Sequence, residues 1–185
     1  LSVKGMQCAK ANIITDPNGT QFTAFSPGPE VDKATWATHL QNQPFGSVDI
    51  FVCAPFPIPL MQSALEITKA SNPNIFNLWV PGQYADSMQA DELRIAVKAC
   101  DLLVGNANEI DHIRRTAPGC LTGKSVIETD GARPVRALLS DGNQRTLPTP
   151  AVSPVIDPTG CGDAFVAGLI PTLMQTFDTL DSVRW

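Results

Sequence analysis

The sequence predicts an α/β domain with three α/β/α layers: a mostly parallel sheet, helices on both faces, and an antiparallel hairpin at one edge. Three observations carry this. From residue 48 onward, short apolar runs alternate with helical stretches across short connections. That alternation builds βαβ units and a parallel sheet. After Gly131 it stops, and two strand-like runs flank the turn Asp141-Gly142-Asn143, which reads as a hairpin. The 185 residues are 43% hydrophobic and 17% charged. This is a globular balance in a chain long enough for one core, so a single domain over 1–185 is expected.

The elements follow in order. Residues 10–15 read as a strand, Asn18-Gly19 as the turn of a hairpin, and residues 20–25 as the returning strand. Pro27, Gly28 and Pro29 make a loop, and Asp32 is placed to cap a helix over 33–41. Residues 48–53 are a buried-type strand. A helix over 58–70 tolerates Pro59 in its first turn. Residues 74–80 form a strand, and 90–100 a helix with Ser87 or Asp91 as its cap. Strand 102–104, helix 109–115 and strand 125–129 continue the alternation. Residues 135–140 and 144–147 form the edge hairpin. A proline-rich turn region then leads to an apolar helix over 164–177, which Pro171 is expected to bend.

Charge and cysteine use exclude several classes. Thirteen Lys and Arg against 18 Asp and Glu give a net charge of −5. No Lys/Arg cluster appears, so nucleic acid is not an expected partner. No apolar run has membrane-spanning length and no signal peptide is visible, so no membrane partner is expected. The cysteines, Cys8, Cys53, Cys100, Cys120 and Cys161, are odd in number and none shows C-x-x-C spacing. That usage predicts a reduced, cytoplasmic protein. The sequon at Asn18 then reads as a turn, not a glycan site. The chain starts at Leu1 and ends at Trp185 inside a helix-like stretch, so a longer parent protein is expected.

One stretch carries chemistry: Asp157-Pro158-Thr159-Gly160-Cys161-Gly162-Asp163. Two glycines open a helix, and an acid lies in its first turn. A helix N-terminus presents unpaired N–H groups and partial positive charge. Glycines let an anion approach that backbone, and the acid can take a proton from a group attacking the anion. Such a cradle suits phosphoryl transfer. A dinucleotide fingerprint would need glycine where Phe165 stands. Gly119 to Ser125 is one residue too short for a Walker A loop and leads into a strand, so it reads as a helix-to-strand connection. Cys161 at the helix start is an alternative nucleophile. Asn106 and Glu109 read either as a capping box or as a carboxylate organising Mg²⁺ through water. His39 and His112 show no ligand spacing and are read as surface or cap residues.

Together, Asn106 to Glu109, Thr129-Asp130-Gly131 and Asp157 to Asp163 resemble, in order and spacing, the motifs of the ribokinase-like (PfkB) carbohydrate kinases. The family pattern is Asn-x-x-Glu, Thr-x-Gly-x-x-Gly and Asp-Thr-x-Gly-Ala-Gly-Asp. Here Pro134 replaces the second glycine of the middle motif, Pro158 the usual Thr and Cys161 the usual Ala. Residues 15–28 and Pro81-Gly82-Gln83 are similar to the adenosine-kinase branch. The resemblance implies a Rossmann-like, ribokinase-like fold and transfer of the γ-phosphate of ATP to a hydroxyl of a sugar or nucleoside. It implies Asp163 as catalytic base, with the backbone of Gly160, Cys161 and Gly162 as anion hole. It implies Asn106 and Glu109 near Mg²⁺, held through water, and Thr129, Gly131 and Thr159 along the ATP phosphates. The family's first strand, lid and Gly-Gly sugar motif would lie before Leu1, and helices shaping the adenine pocket after Trp185. A homodimer through the lid is the implied assembly. A non-catalytic member of the same fold is the competing reading.

Overall fold

A computed structural model describes residues 5, 7–16, 21–152 and 157–176. The expected turn at Asn18-Gly19 with its sequon, Ser153-Pro154 and the terminal helical stretch lie outside the described residues. The first hairpin is β1 (Lys10–Thr15) and β2 (Gln21–Ser26), an antiparallel two-stranded sheet of its own. Ile14 pairs with Phe22 and both are about two-thirds exposed, at 66% and 67%. At the base of this ribbon Gly28 lies against Ala9. A Cβ at position 28 would come within 2.9 Å of the Ala9 nitrogen, so no larger residue fits there without a shift.

The main sheet has six strands in chain order: β3 (Ile50–Cys53), β4 (Phe76–Trp79), β5 (Leu102–Asn106), β6 (Ser125–Asp130), β7 (Arg133–Leu138) and β8 (Gln144–Leu147). The first three pairings are parallel and the last two antiparallel. The helices are α1 (Lys33–Gln41), α2 (Ile58–Ser71), α3 (Ala90–Ala99), α4 (Ala107–Thr116) and α5 (Cys161–Thr176). Asp32 caps α1, its carboxylate accepting from Thr35 N–H at 2.9 Å, as expected from the sequence. Helix α3 is capped otherwise. Gln89, not Ser87 or Asp91, is its N-cap, and Glu92 Oε2 accepts from the Gln89 N–H at 2.8 Å. Ser87 instead ends a 3-10 turn, Gly82–Ser87, with its hydroxyl on the Tyr84 carbonyl.

The edge hairpin also differs from expectation. Its first strand, expected over 135–140, spans Arg133–Leu138 and pairs antiparallel with β6 itself across the two-residue turn Gly131-Ala132. Gly131 has φ +56°, which a tight hairpin turn requires at its first central residue. Between the pairs Glu128↔Arg136 and Asp130↔Arg133 the register shifts. There Thr129 faces two residues, Pro134 and Val135. This bulge seats Pro134, which could not donate to a regular ladder.

Strand alternation divides the core in two. On one face Trp79, Leu103 and Val126 pack with Met61 and Leu65 of α2, Leu93 and Val97 of α3, and Ile110 and Ile113 of α4. On the other, Leu78, Leu102, Val104 and Ile127 pack with Val166, Leu169 and Leu173 of α5. Helix α1 joins a smaller cluster through Leu40 and Trp36, with Phe45 and Ala64. The layers predicted from the alternation are therefore present. Strands β3 to β6 all end at one edge, and β8, reversed twice, ends there too.

Candidate functional site

At this edge β5 steps directly into α4. Asn106 is the last residue of β5 and the N-cap of α4. Its Oδ1 accepts from the N–H groups of Asn108 at 2.9 Å and Glu109 at 3.0 Å. Glu109 reciprocates, its Oε2 accepting from Asn106 N–H at 2.9 Å and its Oε1 from Asn106 Nδ2 at 2.7 Å. The capping-box reading is thus present in full. Gly105 makes room for it: a Cβ there would lie 3.0 Å from Glu109 Oε2 and 3.1 Å from Ile110 Cδ1. Burial pushes the Glu109 carboxyl above its ordinary pKa. The Asn106 N–H pulls it partly back, and Asp86 adds a smaller upward push.

Thr129 stands beside this box. It is the Cα partner of Asn106 across the β5–β6 ladder, and its hydroxyl reaches the Gly105 carbonyl at 3.5 Å. Gly131 follows in the exposed turn, with open space where a Cβ would lie. Asn106, Glu109, Thr129 and Gly131 are therefore brought to one strand edge. Two cross-strand ion pairs flank the bulge between them: Glu128 with Arg136, and Asp130 with Arg133 at 2.8 Å.

The third piece is the start of α5. Asp157 Oδ1 accepts from Thr159 N–H at 2.9 Å. Hydrogen bonds from Thr159, side chain first and backbone second, hold the Asp157 carboxyl below its ordinary pKa. Gly160 follows with φ +80°, and nothing lies within 4 Å of a Cβ at Gly160 or Gly162. Asp163 sits in the first turn with an exposed side chain. The Cys161 N–H donates to the Pro158 carbonyl at 3.2 Å. An anion drawing on that N–H would share or displace this long bond. Helix α5 packs against β5, the strand that delivers Asn106.

The open glycine backbone at Gly131, Gly160 and Gly162 fits a ligand whose anionic oxygens must approach the main chain. Among the described residues, no three His, Cys, Asp or Glu side chains gather as a metal cage. Glu109 still has about two of a carboxylate's four or so lone-pair positions beyond those Asn106 uses. That suits Mg²⁺, which keeps several waters and relies on substrate phosphates.

The alternatives resolve structurally. Lys124 of the Walker-like stretch donates from Nζ to the carbonyls of Lys98 at 3.0 Å and Cys100 at 2.9 Å, closing the C-terminal end of α3. His112 lies 3.1 Å from the Thr116 hydroxyl and 3.9 Å from Asp86. His39 stacks on Trp36 in the last turn of α1. Sequence reasoning did not single out Glu128. Glu128 is the first acid of β6 and directly follows the apolar pair Val126-Ile127, and a charge at that place was the available signal.

Comparison with known proteins extends these observations. A family model described as "pfkB family carbohydrate kinase" matches residues 3–185. The nucleoside kinase of Burkholderia thailandensis, solved in complex with inosine, superposes with a TM-score of 0.84 at 24% identity, over 97% of this chain and 59% of its own. The ribokinase of Cryptococcus neoformans var. grubii, in complex with ADP, gives 0.80 at 17% identity, over 98% and 63%. The adenosine kinase of Anopheles gambiae gives 0.79 at 17%, over 98% and 61%. The chain thus spans about three-fifths of the length of these structures. No curated protein sequence matches.

Proposed function

Because the chain belongs to the pfkB family of carbohydrate kinases, we propose that it carries the phosphoryl-transfer half of an ATP-dependent sugar or nucleoside kinase. The supporting observation is the open, glycine-built start of α5 with Asp163 in its first turn. It lies on a helix packed against the strand that ends in Asn106.

In this reading Asp163 is the catalytic base and accepts the proton of the acceptor hydroxyl. The proton moves late, as charge develops on the acceptor oxygen in a loose transition state. Backbone N–H groups at Gly160, Cys161 and Gly162 hold the developing negative charge. Thr129, Gly131 and Thr159 line the phosphate chain of ATP. Glu109, oriented by Asn106, would hold Mg²⁺ through its waters. Bound ATP and Mg²⁺ supply the transferable phosphoryl group and charge neutralisation. The acceptor is a sugar or nucleoside, a class supported by the inosine complex of the similar nucleoside kinase. Cytoplasmic location and a homodimer complete the proposal.

The test is phosphate transfer from ATP by the full-length protein across adenosine, inosine, ribose, fructose and fructose phosphate. Transfer to at least one hydroxyl is expected. ATP binding without transfer to any of them would overturn the kinase reading in favour of a non-catalytic member.

A further inference from the structure

Glu128 has no place in the proposed chemistry, yet it is the one charged side chain buried among the described residues, at 3% exposure. Its two oxygens serve two different elements. Oε2 meets Arg114 Nη2 of α4 at 3.0 Å, and Oε1 meets Arg136 Nη2 of β7. Both arginines are roughly half-exposed, at 47% and 59%. The surrounding positions, Val126 and Leu138, belong to an apolar cluster. An uncharged side chain would fill this place without the cost of desolvating a carboxylate, so stability alone is a poor account of the triad. What it supplies is direction: a planar guanidinium accepts only certain approaches of a carboxylate.

The elements it joins are those that carry the nucleotide-side residues. Arg114 lies five residues beyond Glu109 on α4, about 7.5 Å along the helix axis. Helix α4 begins at the Asn106–Glu109 box. Glu128 precedes Thr129, and its pairing with Arg136 is the last regular one before the bulge. The Asp130–Arg133 pair closes the bulge on its other side, next to Gly131. A one-residue slip here would turn Thr129 to the opposite face.

We propose that Glu128 is a positioning residue: through Arg114 and Arg136 it fixes the Asn106–Glu109 box relative to the Thr129–Gly131 turn, and so sets affinity for the nucleotide phosphates. The proposal rests on the kinase reading for its ligand but not for its geometry. The decisive variant of the full-length protein replaces all three residues (Glu128→Leu, Arg114→Leu and Arg136→Leu), leaving no buried charge behind. Its melting temperature is expected at or above that of the unaltered protein. Its KM for ATP and its Kd for ADP by calorimetry are expected to rise about tenfold or more, with KM for the acceptor within about twofold, because only the nucleotide side loses its placement. Amide exchange at Asn108 and Glu109, whose N–H groups donate to Asn106, reads the same placement without ligand and is expected to quicken. A folded triple variant with unchanged ADP affinity and unchanged exchange at these amides overturns the proposal. Should the triple variant not fold, Arg114→Lys keeps the charge and loses the planar fork. Weaker ADP binding at an unaltered melting temperature then supports the proposal, and unaltered binding overturns it. If the unaltered protein binds ADP but transfers no phosphate, the kinase reading falls while the affinity and exchange arms still decide the role of Glu128.

Discussion

The two edges of the main sheet spend their polar groups differently. At the edge where β4, β5 and β6 begin, charges turn inward onto backbone. Lys69 Nζ donates to the Ile75 carbonyl at 2.6 Å and pairs with Asp101 at 2.7 Å. Asp101 in turn accepts from Asn77 N–H at 2.7 Å. The fully buried Asn77 side chain donates to the carbonyls of Leu65 and Ala99, and Lys124 closes α3. At the edge where the strands end, Gly131 leaves the backbone open; at the start of α5 Gly160 and Gly162 do the same and Asp163 is exposed. The first edge satisfies its polar groups within the fold, whereas the second combines a closed Asn106–Glu109 box with open glycine backbone, where the proposed chemistry lies.

That contrast can be broken most forcefully at Asp163. Asp163→Asn should lower turnover of the full-length protein by about 10²–10⁴-fold, with ATP binding and melting temperature unaltered. Near-normal turnover would remove the base from the proposed mechanism. At the opposite edge Lys69→Met should do the reverse. It strips a charge-assisted hydrogen bond and should cost about 1–2 kcal/mol of folding stability in denaturant titrations, while KM values stay put. A changed KM for ATP would show that the edges are not separate.

Glu109 lies between these extremes, since it is both cap and proposed Mg²⁺ partner. Glu109→Ala should cost about 1 kcal/mol through loss of the box, whereas Glu109→Gln should keep the cap and lower turnover. Its folded pKa is raised by burial, so its contribution favours the folded state at low pH and fades as pH rises through the folded value. Stability measured against pH should therefore show a smaller decline through this range in Glu109→Gln. An equal decline would assign it to other groups. The smallest effect is expected from Cys161→Ala, with turnover within about twofold. Loss of activity there would favour the thiol reading over the anion cradle.

Much of this was legible in the sequence, for reasons that differ between the edges. The Asp32 cap, the Asn106–Glu109 box and the glycine-led start of α5 are local patterns, set by residues within a few positions of one another. The strand and helix order followed from periodicity in the same way. What could not be read was non-local. The early start of β7 depends on a bulge that only the partner strand defines. The cap of α3 is the local exception: Gln89 took it, with Glu92 three residues on reaching its N–H, although serine and aspartate stood nearby. The pairing of Glu128 with two arginines, eight residues ahead in β7 and fourteen behind in α4, exists only once the sheet is assembled.

The β1–β2 ribbon has a practical consequence. Its strands are joined to one another, yet every residue of β1 is exposed and the main core does not draw on either strand. A two-stranded ribbon of this kind is marginal by itself. To a protease, then, the described residues from α1 onward should be a resistant block and the ribbon a cleavable handle. Early cuts should fall before Gly28, at strands that open without help from the block, and the fragment beginning near Asp32 should outlast them.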